Sequence, residues 1–173
     1  YFDIANDTLG IDIQNIIFNG PDEELRLTKH TQPAIFIVST IISELLIKKG
    51  FKPDGVAGHS LGEYSALVSA QGIDFKTGLE LVKIRSESMA KAGQDNPGTM
   101  AAIIGMDLKS VTTLAQEIST NQIVVAANHN TENQIVISGN IKAVQNFTDI
   151  AKERGARMAI PLNVSGAFHS PLM

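Results

Sequence analysis

Apolar positions along this chain recur at helical spacing over two long stretches and cluster in short strand-like runs elsewhere. The first thirty residues are mixed, and Gly10 and Gly20-Pro21 break them into short helix and loop. Ile37, Ile41 and Leu45, with Val38, Ile42 and Leu46, then predict a long helix. Pro33 suits its first position, where a missing amide costs nothing, and Lys48-Lys49-Gly50 ends it. Apolar residues occupy much of its circumference, so this helix is expected to be largely buried. Pro53–Ala57 predicts a short strand, followed by Gly58-His59-Ser60-Leu61-Gly62 and a helix over Glu63–Ala70.

A further helix is predicted from an Asp74 cap to about Ala92. It places Phe75, Leu79, Val82, Ser86 and Met89 on one face and Lys76, Glu80, Lys83, Glu87 and Lys91 on the opposite one. Arg85 departs from this division, projecting roughly 160° from the centre of the charged face, beside the apolar stripe. A cation there has lost easy access to water and needs a partner, yet Glu80 and Glu87 point elsewhere.

Beyond the loop Gly93–Gly98, the pattern changes to alternating strands and helices. Ala101–Ile104 predicts a strand and Asp107–Ser119 a helix. Gln122–Ala127 and Asn133–Ser138 predict a hairpin around Asn128–Glu132, followed by a helix over Lys142–Arg154 and a strand over Arg157–Pro161. Strand-helix-strand twice over is the ferredoxin-like split unit. It is expected at 98–162, inserted into a larger α/β subdomain formed by 1–97 and 163–173.

Composition narrows the function classes. The 173 residues are 43% hydrophobic and 18% charged, which excludes a disordered or collagen-like chain. A net charge of −4 gives no basic field for nucleic acid or anionic lipid. Without cysteine there is no disulfide, thiolate nucleophile or thiolate-ligated zinc, and a reducing compartment is compatible with that. The most apolar run, Pro33–Ser43, falls short of the ~20 residues that span a bilayer, and the start at Tyr1-Phe2-Asp3-Ile4 resembles no signal peptide. A chain that starts without Met and stops at Ser170-Pro171-Leu172-Met173 is expected to be a fragment.

Gly58-His59-Ser60-Leu61-Gly62 fits the nucleophile-elbow pattern Gly-x-Ser-x-Gly. In that pattern a sharp strand-to-helix turn exposes the serine hydroxyl, small residues at −2 and +2 let the backbone fold tightly, and the helix N-terminus faces developing negative charge. The backbone N–H of Leu61 is one expected oxyanion-hole donor. Serine needs a base, and four histidines are available. His30 reads as a surface or capping residue, His59 as packing or hydrogen-bonding behind the elbow, and His129 as part of a hairpin tip. His169, in Val164–Pro171, is the favoured base, and no acid between Ser60 and His169 stands out as a third member. No metal-ligand spacing or phosphate-binding loop appears.

Gly58–Leu67, Thr31-Gln32-Pro33-Ala34, the Arg85 helix, Ala101–Gly105 and Gly166–Met173 together resemble, in the same order, the malonyl-CoA:acyl carrier protein transacylase family. The resemblance covers essentially the whole chain. It implies an α/β, hydrolase-like three-layer core with a nucleophile elbow, plus the inserted ferredoxin-like subdomain. It also implies a cytoplasmic malonyltransferase of fatty acid biosynthesis that binds no cofactor, takes malonyl-CoA as substrate and uses acyl carrier protein as partner. By the same resemblance Ser60 is the acylated nucleophile, His169 its general base and the Leu61 amide half the oxyanion hole. Arg85 would grip the malonyl carboxylate, with Gln32 and His59 also at the substrate.

The family's opening strand and glutamine loop would precede Tyr1 and its last third would follow Met173, so the fragment alone is expected to be weakly active or inactive. Two other readings use the same residues: a serine esterase or acylhydrolase, and a catalytically silent carrier-binding piece of a larger synthase. Lys142, Lys152, Arg154 and Arg157 form a candidate basic docking patch, or else a solvated helix face.

Overall fold

A computed structural model describes all of Tyr1–Met173, and the chain divides into two compact units, Tyr1–Ser88 and Met89–Met173. The second reaches beyond 98–162, the segment expected for a small subdomain.

The first unit is helical: α1 (Phe2–Leu9), α2 (Ile13–Asn19), α3 (Asp22–Arg26), α4 (Thr28–Lys48), α5 (Gly62–Ser69) and the first part of α6 (Phe75–Asp95). Asp74 caps α6 by accepting from the Thr77 N–H at 2.7 Å, and that backbone hydrogen bond holds its carboxyl below the usual aspartate range. Ala5, Ile13, Phe36, Ile37, Leu61, Leu79 and Val82 form the core of this unit. Fully burying a large aliphatic or aromatic side chain contributes about 1.5–3 kcal/mol. Phe36 of α4 stacks on Phe75 of α6 with ring centroids 5.6 Å apart, and a Cβ at Gly78 would sit 2.7 Å from the Phe36 ring, so these two helices meet closely through Phe36.

Four local expectations need correction in this unit. Pro33 lies inside α4 rather than at its first position. The helix starts earlier because its opening turn is anchored by side chains: Thr31 Oγ1 donates to the Leu27 carbonyl at 3.1 Å and His30 Nδ1 lies 2.9 Å from the Glu24 carbonyl. His30 is accordingly buried, not a surface residue. Nor is α4 largely buried, for Ile35, Val38, Ile42, Leu45 and Leu46 are all exposed at helical spacing. At 21 residues, α4 is long and apolar enough to cross a bilayer by length and composition, a test that the core helix of a soluble protein passes too. Finally, Pro53–Ala57 is exposed and forms no strand, because no chain segment lies beside it to complete a ladder.

The second unit contains the sheet. β1 (Gly98–Ile104), α7 (Leu108–Ile118), β2 (Val124–Thr131), β3 (Gln134–Asn140), α8 (Ile141–Glu153) and β4 (Met158–Pro161) give a four-stranded sheet of order β2-β3-β1-β4. Every neighbouring pair is antiparallel, which is the strand order of a split β-α-β unit. Strand alternation explains the two faces. Ala101, Ile103, Ile135 and Ile137 pack under α7 and α8 with Val111, Leu114 and Phe147. Met100, Ala102 and Val136 pack on the other face, against Leu162, Val164 and Phe168. The hairpin is tighter than expected: β2 and β3 join through Glu132-Asn133 alone, and His129 sits within β2, beside a register shift. Asp107 caps α7 through the Ser110 N–H at 2.7 Å, a bond that holds its carboxyl below the ordinary aspartate range.

Candidate functional site

Gly58–Gly62 forms a turn into α5 whose tightness is set at one end. A Cβ on Gly58 would lie 2.0 Å from the Gly62 carbonyl carbon and 2.1 Å from the Glu63 nitrogen, both backbone atoms, so only glycine fits there. Gly62 has nothing within 4 Å of such a Cβ, so the expected steric demand at +2 is absent. The turn closes through the Gly62 N–H on the His59 carbonyl at 2.9 Å and the Tyr64 N–H on the Leu61 carbonyl at 3.1 Å.

Ser60 has φ +54°, a left-handed conformation that costs an L-residue on the order of 1–2 kcal/mol. Leu61, next in sequence, anchors the turn in the core of the first unit. Its N–H precedes the first turn of α5, the place where helices leave donors without intrahelical partners. His59 is exposed.

Arg85 resolves the question its position raised. One end of its guanidinium, Nη2, donates to Ser60 Oγ at 2.9 Å; the other, Nη1, donates to Gln32 Oε1. Both partners are neutral, so these contacts orient the cation without cancelling its charge. Gln32 is buried on α4, and Arg85 and Ser60 are half-buried. A buried ion pair with a distant acid, the simplest alternative for such an arginine, is not what these contacts form. Sequence reasoning missed the direct Gln32–Arg85 and Arg85–Ser60 contacts, since they join positions 53 and 25 residues apart.

His169 belongs to the second unit and has φ +59°. It is exposed, on a turn fixed by Ser170, whose hydroxyl donates to the Ala167 carbonyl at 2.7 Å and accepts from the Leu172 N–H at 3.2 Å. A Cβ on Gly98 would meet Ala167 at 2.5 Å, so this turn packs closely on the start of β1. No three His, Asp or Glu side chains gather as a metal site.

Known proteins are similar to this chain in sequence and fold. The chain is 45% identical over 173 residues to the malonyl CoA-acyl carrier protein transacylase of Bacillus subtilis (strain 168), covering 99% of this chain and 55% of that one. It is 49% identical over 154 residues to the protein of the same name from Synechocystis sp., covering 89% of this chain and 50% of that one. A solved structure of a type II PKS acyl-carrier protein in complex with its malonyl-transacylase superposes with a TM-score of 0.95 at 43% identity, covering 99% of this chain and 56% of that one. The chain thus spans about half the length of the curated relatives it matches. With the acyl transferase domain family matching residues 3–173, this α/β chain with its small antiparallel sheet belongs to that family.

Proposed function

We propose that this chain carries the acyl-accepting serine of a malonyl-CoA:acyl carrier protein transacylase, acting in fatty acid biosynthesis in the cytoplasm. The observation that carries the reading is the guanidinium of Arg85 at 2.9 Å from Ser60 Oγ, oriented by a neutral amide. A malonyl group esterified to Oγ ends in a carboxylate only three bonds farther on, within reach of a cation placed there. Arginine suits this task because its planar fork binds a carboxylate through two parallel hydrogen bonds. An esterase acting on neutral acyl groups has no use for a cation beside its nucleophile.

In this reading Gly58–Gly62 is a nucleophile elbow of a hydrolase-like three-layer core. Pro53–Ala57 becomes a strand once neighbours pair with it, and 1–97 with 163–173 forms the larger subdomain around an inserted 98–162. The φ of Ser60 and the steric demand at Gly58 support the elbow.

The reaction is a double displacement. Ser60 Oγ attacks the thioester carbonyl of malonyl-CoA while its proton passes to His169, the general base. The Leu61 N–H donates to the oxyanion. The C–S bond breaks, the CoA sulfur takes the proton from the imidazolium, and a malonyl-serine ester remains. The phosphopantetheine thiol of acyl carrier protein then loses its proton to His169 and attacks the ester. The C–O bond breaks, and Ser60 recovers its proton. Arg85 holds the distal carboxylate through both halves, and His59 lies beside the acyl path. No resident cofactor takes part. Incubating the full-length protein with malonyl-CoA should add one malonyl group, mapped to Ser60 by peptide mass spectrometry and absent from Ser60→Ala. A protein that turns over malonyl-CoA without that adduct would exclude the scheme.

Docking of an acidic carrier is assigned to Lys142, Lys152, Arg154 and Arg157, all exposed on or just after α8. Arg154 also pairs with Glu117 at 2.7 Å, leaving Lys152 the better candidate for a carrier contact. Reversing Lys152 and Arg154 to glutamate should raise KM for the carrier several-fold and leave KM for malonyl-CoA unchanged. An unaltered carrier KM would make the patch a solvated face.

A further inference from the structure

We infer that Gln32 is a positioning residue for Arg85, and that its neutrality is what leaves the guanidinium selective for a carboxylate-bearing acyl group. The inference rests on the transacylase reading and gives Gln32 a role through Arg85 rather than at the substrate. Gln32 is 7% exposed and accepts from Nη1 of Arg85, while Nη2 donates to Ser60 Oγ. Fixing both outer nitrogens of a planar group fixes its plane, so the pair of contacts sets the direction of the fork relative to the nucleophile.

The scaffold behind this is closely packed. Gln32 lies one helical turn before Phe36, and Phe36 is fully buried, stacked on Phe75 and pressed against Gly78 of the helix that bears Arg85. A buried carboxylate at the same place would hold the arginine equally well, but it would neutralise the cation and repel the incoming malonyl carboxylate. The amide supplies the acceptor without the charge.

The test compares malonyl-CoA and acetyl-CoA as donors for the full-length protein in four forms: unaltered, Arg85→Ala, Gln32→Glu and Gln32→Leu. Gln32→Glu should lower kcat/KM for malonyl by about a hundredfold and for acetyl by no more than about threefold. Gln32→Leu keeps neutrality and loses the acceptor, so it should lower malonyl kcat/KM by about tenfold, mostly through KM. Retained acetyl transfer reports that the fold is intact. Equal losses on both donors would reduce Gln32 to a packing residue, and so would no effect in either variant. Should Arg85→Ala itself fail to separate the two donors, the carboxylate role of Arg85 fails first and the assignment of Gln32 falls with it.

Discussion

Alanine in place of Arg85 is expected to cut malonyl transfer by the full-length protein by about a hundredfold while acetyl transfer falls only a few-fold. The difference arises because acetyl has no distal carboxylate. For malonyl, the variant leaves an anion in a half-buried site without a countercharge, and losing one member of such a pair costs about 2–5 kcal/mol. The lower end applies here, since Arg85 is not fully enclosed. For acetyl, the variant loses the guanidinium's hydrogen bonds to the Ser60 hydroxyl and to Gln32, but no charge pair with the acyl group. Arg85→Lys should fall between, because an ammonium keeps the charge but cannot engage Gln32, Ser60 and a carboxylate with one planar fork. Steady-state kinetics with both thioesters reads the ratio directly, and equal losses would remove the carboxylate from the account.

Much of this was legible in the residues, for identifiable reasons. On α6, Leu79, Val82 and Ser86 are fully buried as the periodicity requires, with Phe75 and Met89 of the same face half-buried, and Asp74 caps the helix it precedes. Local pattern suffices there because both signals act within a turn or two of helix. Arg85 stood out for the same reason: one charge on the wrong side of a clear stripe. Gln32 enters only through the family resemblance, and its contact with Arg85 depends on how α4 and α6 pack through Phe36, which pattern within one helix does not encode.

The misread elements share a cause as well. The exposed apolar stripe of α4 and the unpaired run Pro53–Ala57 both have the composition of buried structure, yet burial and strand pairing require neighbours that local pattern does not supply. The left-handed φ of Ser60 is a case between these. The Gly-x-Ser-x-Gly pattern pointed to a sharp turn, but which glycine is sterically obligatory depends on coordinates.

That last distinction yields opposite outcomes for two residues the motif treats alike. Gly58→Ala places a methyl group 2.0 Å from backbone at Gly62 and 2.1 Å from backbone at Glu63, and no side chain can move aside to relieve it. The turn must open. The cost should exceed the ~1–3 kcal/mol typical of overpacking a core, since the clash is with main chain. Opening the turn displaces Ser60 from its position beside Arg85, so acylation should fall by at least about a hundredfold even where the protein still folds. Gly62→Ala meets nothing within 4 Å and needs no positive φ, and it exchanges the poorest helix former short of proline for the best at the first position of α5. It should therefore hold or raise stability, by up to about 1 kcal/mol through the restricted unfolded chain. Urea unfolding of the two variants, alongside malonyl labelling of Ser60, separates the cases. Comparable destabilisation by both would mean that the turn tolerates no Cβ at either end, and harmless substitution at 58 would mean that Ser60 is not held by a tight turn at all.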